Sequence, residues 1–443
     1  VTQRINIRQM ADDAPMGPLQ KWLVALCALI LLIDGYDLTV IGVALPSLMA
    51  DLKIEAGAAG VLASAALVGM MLGAMVLGTL ADRIGRVKAI AISVFIFSVF
   101  TAACGLATDV WTFGVLRFIA GLGLGGVVPA VTATIAEFAP RRSRSFITTA
   151  VFAAYALGGV LAALLGRSLL DSFGWQIVFY LAGLPVLLIP VLLKYLPESA
   201  AVLQSRNDQT ALRALARRIV PQQALPADAE VFAPQPQQQA KVPLARLFQD
   251  GRGFSTVMLW VGFFSGLFML YALNSWLTKL MAMAGYSLKS ALMFLLLLNC
   301  GSALGSFGSG WLADRLGMKR VLTTMLVCGA VATAMLAQQM SPNMVALLVF
   351  IVGFTMSGGQ GLAYAYVGQY YPVDIGATGV GMAAGVGRIG GIAAPIIIGT
   401  LIAMELPHAQ NFYVIAAFGL LQALAFSLIN NRVAAFSQQQ QPA

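Results

Sequence analysis

Four ionisable side chains stand inside apolar runs of this sequence. Asp34 and Asp37 lie in LLIDGYDLTVIGVALPSL, Arg117 in LRFIAGLGLGG, and Arg388 in GVGRIGGIAAP. The two carboxylates are three residues apart, which on a helix puts them on one face. At the centre of a membrane helix each charge costs at least ~2.5–3.5 kcal/mol on insertion scales, so such groups mark ion or substrate paths. The chemistry they offer is proton exchange and anion recognition. Two neighbouring acids can hold one proton between them, and its titration belongs to the pair. A guanidinium presents a planar fork of donors that matches a carboxylate. The structural alternatives are a packing ion pair for the acids and a tie to backbone carbonyls for Arg388.

Composition makes the surroundings of these charges apolar. Of 443 residues 59% are hydrophobic and 10% charged, with a mean hydropathy of +0.84. A soluble domain carries about 25% charged residues, so a soluble enzyme or nucleic-acid binder is excluded. The net charge of +9 is not clustered on one domain. Cys27, Cys104, Cys300 and Cys328 all fall in apolar stretches, which indicates neither a disulfide framework nor a metal site. GVGRIG (385–390) has the glycine spacing of a dinucleotide loop and GLGLGG (121–126) nearly so, but neither follows a strand. In membrane helices such glycines let neighbours pack closely, so no cofactor is called for.

A helix needs roughly 20 apolar residues to cross the hydrocarbon core. Twelve such runs are found, near 22–44, 57–80, 88–106, 111–137, 146–168, 175–194, 256–280, 288–312, 319–338, 344–368, 378–403 and 411–430. The first lacks a small-residue cleavage site and reads as a span, not a signal peptide. The expectation is an all-α membrane protein of two six-helix, pseudo-symmetric halves, 22–194 and 256–430. A polar linker over 195–255, with a short surface helix near 211–220, joins them, and the tails 1–21 and 431–443 read as disordered at their ends. With the N-terminus in the cytoplasm, 21 of the 27 Lys and Arg fall on the cytoplasmic side and 4 outside, which predicts both termini inside. The only histidine, His408, then lies in an external loop and cannot serve as a midplane proton relay.

The halves are echoed in the sequence. GTLADRIGRVK (78–88) recurs as GWLADRLGMKR (310–320), an offset of 232 residues, and Glu137-Phe-Ala-Pro140 recurs at the same offset as Gln369-Tyr-Tyr-Pro372. Repeated helical halves place a substrate site at their interface near the midplane. The G-x-L-A-D-R-x-G-R-x-K loop resembles the signature of the major facilitator superfamily, where it acts as a cytoplasmic latch. By that resemblance Gly78, Asp82, Arg83 and Arg86, with Asp314 and Arg315 in the second half, are gating-loop residues. Gly78 is expected to let helices approach closely.

The D-G-x-D segment resembles that of the aromatic acid:proton symporters, which import benzoate-like carboxylates into bacteria. RFIAGLGLGG (117–126), the Glu137, Pro140 and Arg144 loop, LPES (196–199), LNSWL (273–277) and GATGVG running into GVGRIGGIAAP agree with that group. Gly376 stands where the family usually has a basic residue, a departure that bears on the second-half latch. The resemblance implies a monomer in the bacterial inner membrane. It makes Arg117, on a span that lines the central cavity, the natural partner for Asp34 or Asp37, and adds Glu137 to the proton-coupling group. Arg388 has no carboxylate of its own half at matching depth, so its fork is free for a carboxylate ligand. Tyr271, Asn274, Trp276, Gln360 and Tyr364 are the candidates for ring contacts and hydroxyl recognition.

The function this predicts is import of a small aromatic carboxylate with protons by alternating access. With the acids neutralised and Arg388 satisfied by ligand, the halves can rock past each other; otherwise a bare charge is occluded in a dry interface. One anion with one proton draws on the pH gradient alone, about 1.4 kcal/mol per unit. A second proton adds roughly 2.3 kcal/mol per 100 mV of membrane potential. The competing readings are a symporter for aliphatic or sugar-acid carboxylates, a drug:proton antiporter, whose cavity would lack a free Arg, and a membrane sensor.

Overall fold

The computed structural model describes residues 4–220, 230–233 and 244–435. A short strand β1 (Arg4–Asn6) and helix α1 (Ile7–Asp13) precede the first long helix, α2 (Pro18–Asp51). Then follow α3 (Ala56–Ile84), α4 (Arg86–Cys104), α5 (Val110–Phe138), α6 (Arg144–Phe173), α7 (Gln176–Leu181) and α8 (Ile189–Tyr195). The last two form one broken span, parted by a 3-10 turn over Leu184–Leu188 in which Pro185 removes a helix donor. Helices α9 (Ala200–Ser205) and α10 (Gln209–Ile219) and strand β2 (Glu230–Phe232) occupy the connection. The second half comprises α11 (Gly253–Met283), α12 (Leu288–Leu316), α13 (Met318–Met335), α14 (Pro342–Tyr370), α15 (Val373–Ala403) and α16 (His408–Leu428). Among the described residues, twelve helical stretches are long and apolar enough to cross a bilayer.

Both halves pair their helices alike: α2 with α6 and α11 with α15, α3 with α5 and α12 with α14. Between the halves α6 packs on α12 and α3 on α15, the exchange expected of two repeats about a two-fold axis. Backbone packing carries the repeat down to single atoms. A Cβ on Gly69, Gly73, Gly121 or Gly158 would strike the carbonyl of Phe118, Leu122, Ala66 or Leu32 respectively. At an offset of 232, Gly301, Gly305, Gly353 and Gly390 stand against the carbonyls of Phe350, Phe354, Leu298 and Phe264, which keep the same offset. In hydrocarbon, where burial between helices gains little, such close backbone approach is what holds helices together.

The halves meet on the side away from the termini. There Ser64 donates to the Ile392 carbonyl at 2.7 Å, Gly60 and Gly399 allow α3 and α15 to touch, and Gly42 does the same for α2 and α11. Lys289 and Asp171 add an exposed ion pair at 3.1 Å, of small energetic weight. Toward the terminal side the same helices part: nothing lies within 4 Å of a Cβ built on Gly78 of α3 or on Gly381 and Gly385 of α15. Gly78 therefore does not serve a close helix approach in this conformation, contrary to the sequence expectation. The path between the halves is open on the terminal side and closed on the other.

The N-terminal segment is not a free tail over its described length. β1 pairs in parallel with β2, and Asn6 caps α1 by accepting from the Arg8 and Gln9 amides. Ile7 and Ala11 pack with Leu212, Leu215, Ile219 and Val231 of the connection against Phe138 of α5. Helices of this length are marginal alone, but jointly they bury one apolar face, forming a cap on the first half. The short helix expected near 211–220 is α10, while the reading of a disordered N-terminal tail missed β1 and α1 because each is short.

Gly158→Val and Gly390→Val should each destabilise the folded protein by roughly 1–3 kcal/mol or more, since the clash is with backbone. Thermal unfolding in detergent tests this; wild-type stability in both variants would contradict the shared packing.

Candidate functional site

The site is built around α2. Asp34, Asp37 and Arg117 are all fully buried. Arg117 donates through one nitrogen to both Asp37 oxygens, at 3.1 and 3.3 Å, and through another to the Asp37 carbonyl at 3.3 Å. The guanidinium carbon lies 6.0 Å from the centre of the Phe179 ring. The partner of Arg117 is thus Asp37, in a pair sealed from solvent.

Asp34 is in the opposite situation. Neither of its oxygens accepts a hydrogen bond among the described residues, although both are buried. Its electrostatic neighbours are Asp37 on its own helix and Arg388 of the other half. Gly35, between the two acids, is required for the α2–α6 contact, because a Cβ there would strike the Tyr155 carbonyl. The D-G-x-D segment therefore combines one satisfied acid, one unsatisfied acid and the glycine that brings α6 alongside.

Arg388 projects from α15 and is only partly buried. One nitrogen donates to the Met70 carbonyl of α3 at 3.3 Å, crossing between the halves. This is the carbonyl tie, and it leaves most of the fork available. Around it stand Tyr271 and Tyr364, both within electrostatic reach of Arg388. Tyr364 is 37% exposed despite its mid-helix position, and its ring meets Phe263 edge-on at 4.8 Å. Tyr271 packs against the cores of both halves.

Tyr155 of α6, absent from the sequence expectation, completes the cluster, buried within electrostatic reach of Tyr271, Asp34, Asp37 and Arg388. Its one available signal was its being the only tyrosine in the fifth span.

Several expected residues lie elsewhere. Trp276 is fully buried and donates to the Pro395 carbonyl at 3.0 Å, so it ties α11 to α15 and presents no free face to a ligand. Asn274 donates to the Leu270 carbonyl of its own helix at 2.9 Å. Gln360 accepts from Gln422 at 3.4 Å inside the second half, against Gly266. Glu137 stands 20 residues beyond Arg117 on the same helix, about 30 Å away at ~1.5 Å per residue. It accepts there from Arg86, the Ser199 hydroxyl and the Ala200 amide, so it belongs to the loop network and not with the midplane acids.

Of the gating-loop residues, Arg86 makes that ion pair, and its backbone amide donates to the Glu198 carboxylate at 2.7 Å. The side chains of Asp82 and Arg83 lie outside the described residues. In the second half Asp314 is exposed, and Arg315 lies over the exposed Trp311 ring at 4.0 Å. The repeat equivalents of Arg86 and Glu137 are Met318 and Gln369, which removes the ion pair from that half.

Comparison with known proteins agrees with this architecture. The family model described as Major Facilitator Superfamily matches residues 27–395 and 297–440. The chain belongs to that superfamily. It is 39% identical to the benzoate transport protein of Acinetobacter baylyi over 98% of this chain and 94% of that one. It is 33% identical to the gallate transporter of Pseudomonas putida, with 95% and 94% covered. The 4-hydroxybenzoate transporter PcaK of Pseudomonas aeruginosa is also 33% identical, with 96% and 95% covered. Among solved structures, a bacterial homologue of the human lysosomal transporter Spinster, inward-facing and occupied, superposes with a TM-score of 0.74 at 18% identity over 96% and 100% of the two chains. The inward-open xylose transporter XylE from E. coli gives 0.68 at 17% over 92% and 95%. These likenesses establish the fold.

Breaking the sealed pair should be costly. Arg117→Met strands the Asp37 charge and should destabilise the protein by about 3–5 kcal/mol, while the double variant Asp37→Leu/Arg117→Met should recover most of that loss. Thermal unfolding of the purified variants checks this, and a double variant no more stable than the single one would contradict the pairing.

Proposed function

We propose that the chain is a proton-coupled symporter that imports a small aromatic carboxylate, of the benzoate or hydroxybenzoate class, by alternating access. The observation that carries the reading is the facing of two incomplete groups across the interface between halves: an acid without a donor, Asp34, and a guanidinium with spare donors, Arg388. The names of the relatives supply the cargo class, since benzoate, gallate and 4-hydroxybenzoate are all carboxylates on an aromatic ring. The charge sorting of the sequence supports a cytoplasmic terminal side, and the bacterial relatives support a bacterial inner membrane. The conformation open on that side is then the one that releases cargo inward.

In this mechanism a proton entering from outside neutralises Asp34, whose charge has nothing else to satisfy it in a dry interface. The cargo carboxylate takes up the open donors of Arg388, where a fork holds both oxygens at once. Tyr155, Tyr271 and Tyr364 supply ring faces and hydroxyls for the aromatic body. With both charges neutralised, contacts on the outer side such as Ser64 with Ile392 can form and the terminal side can open. Opening inward hydrates the site and releases ligand and proton. Asp37 and Arg117 keep each other neutral as a pair throughout, and position α2. The carrier works as a monomer.

Radiolabelled uptake of benzoate, 4-hydroxybenzoate, protocatechuate and gluconate, with and without a protonophore, tests the reading. Accumulation of the ring acids and its collapse with the protonophore are expected; preference for gluconate would shift the cargo to aliphatic acids. Arg388→Lys should weaken binding roughly tenfold, as a point charge replaces a fork. Wild-type binding by Arg388→Ala would remove the carboxylate clamp.

A further inference from the structure

A second set of unexplained features lies on the outer face of the first half, along the seam between α2 and the broken span α7–α8. At the terminal-side end of this seam Trp22 and Tyr195 stack at 6.2 Å and 19°, both well exposed. Exposed Trp and Tyr at the end of a span mark the level of the lipid headgroups. The amphipathic helix α10 ends at the same place. Gln20 of α2 donates to the Ile219 carbonyl at 3.4 Å, and Arg218 donates to the Tyr195 carbonyl at 3.3 Å. These contacts fix the last turn of α10, with Leu212 and Leu215 buried, so that Arg217 and Arg218 face outward into a concavity walled by Pro18, Leu19, Trp22 and Tyr195. Lys194 lies beside it, 5.4 Å from the Tyr195 ring centre. The lining of the concavity holds two guanidiniums and no carboxylate.

Deeper along the same seam is an apolar cleft of about 320 Å³, lined by residues that include Leu29, Leu32, Leu161, Leu184, Leu188 and Tyr36. The hydroxyl of Tyr36 is turned away to the Val178 carbonyl at 2.8 Å, so the cleft offers almost nothing to hold water. The two features are in register. From Trp22, Leu29 lies about 10 Å and Tyr36 about 21 Å along α2, at ~1.5 Å rise per residue. A cationic concavity at headgroup level thus lies in line, along α2, with a hydrocarbon cleft at acyl-chain depth.

We propose that this seam holds one anionic diacyl phospholipid, with its phosphate on Arg217 and Arg218 and one acyl chain in the cleft. Charge complementarity selects the headgroup, because basic pockets at the edge of membrane helices bind anionic lipids. The cleft separates a lipid from a free phosphate ion. Its inner end is Tyr36, between Asp34 and Asp37 on the same helix, so the bound chain braces α2 from behind at the level of the site.

Native mass spectrometry of the full-length detergent-purified protein, mixed with phosphatidylglycerol or phosphatidylcholine of matched chains, tests the assignment. Wild type should retain phosphatidylglycerol preferentially. Arg217→Gln/Arg218→Gln should weaken that retention about thirtyfold, from ~1 kcal/mol per guanidinium. Arg217→Lys/Arg218→Lys should keep most of it, as should Arg141→Gln/Arg142→Gln, which alters another exposed terminal-side loop. Leu184→Trp, which fills the cleft, should reduce retention of both lipids. A photoactivatable phosphatidylglycerol should cross-link wild type on α2 and α8 without any substitution. Unchanged retention in the double Gln variant, insensitivity to Leu184→Trp, displacement by excess inorganic phosphate, or cross-links elsewhere would each overturn the proposal.

Discussion

A carboxylate shut into a dry contact between two moving bodies must be satisfied by something, and Asp34 has no hydrogen-bond donor among the described residues. The remainder of the site is arranged around that deficit. Three residues on, Asp37 takes the one fully buried guanidinium of the first half among the described residues, leaving none for Asp34. The glycine between them lets α6 approach until Tyr155 stands beside the acids. The positive charge that acts on it, Arg388, belongs to the other half and spends one nitrogen on the Met70 carbonyl. In the proposed mechanism a proton and an anion complete this set, both arriving from solution.

The scaffold is symmetric and the chemistry is not. Glycines and the carbonyls they touch repeat at an offset of 232 through both halves, which lets the same helix pairs form and slide in each. At that offset Asp34 and Asp37 correspond to Gly266 and Met269, and Arg388 corresponds to Ala156. The acids therefore ride on one body and the free guanidinium on the other, so the interaction between them changes when the bodies rotate. The loop network follows the same division. Arg86, Glu137 and Ser199 tie the terminal-side ends of the first half to the connection, while Met318 and Gln369 leave the second half without that ion pair.

Much of this was legible in the sequence because membrane physics writes large signals. Twelve apolar runs, a repeated loop and charges stranded in hydrocarbon needed no coordinates. Spacing placed Asp34 and Asp37 on one face but did not say which would take Arg117; that depends on how α5 lies against α2. The aromatic candidates were less legible. Trp276 and Tyr271 sit on one helix with similar apolar neighbours, and only packing shows Trp276 turned onto Pro395 and Tyr271 set between the halves. Glu137 was placed in its loop by the sequence but grouped with the midplane acids by resemblance alone; the helix length between it and Arg117 separates them. Of the cap the sequence showed only the short helix near 211–220, which is α10; α1 and β2 are too short to register, and the shared apolar face exists only once they meet.

The most direct test of the account is whether Asp34 carries the transported proton. Infrared difference spectroscopy of the membrane-reconstituted protein, recorded on adding benzoate, reports protonated carboxyl groups by their C=O stretch. The account predicts a carboxyl band that responds to benzoate in wild type and is lost in Asp34→Asn. A band that persists in Asp34→Asn, or the absence of any such band in wild type, would contradict it.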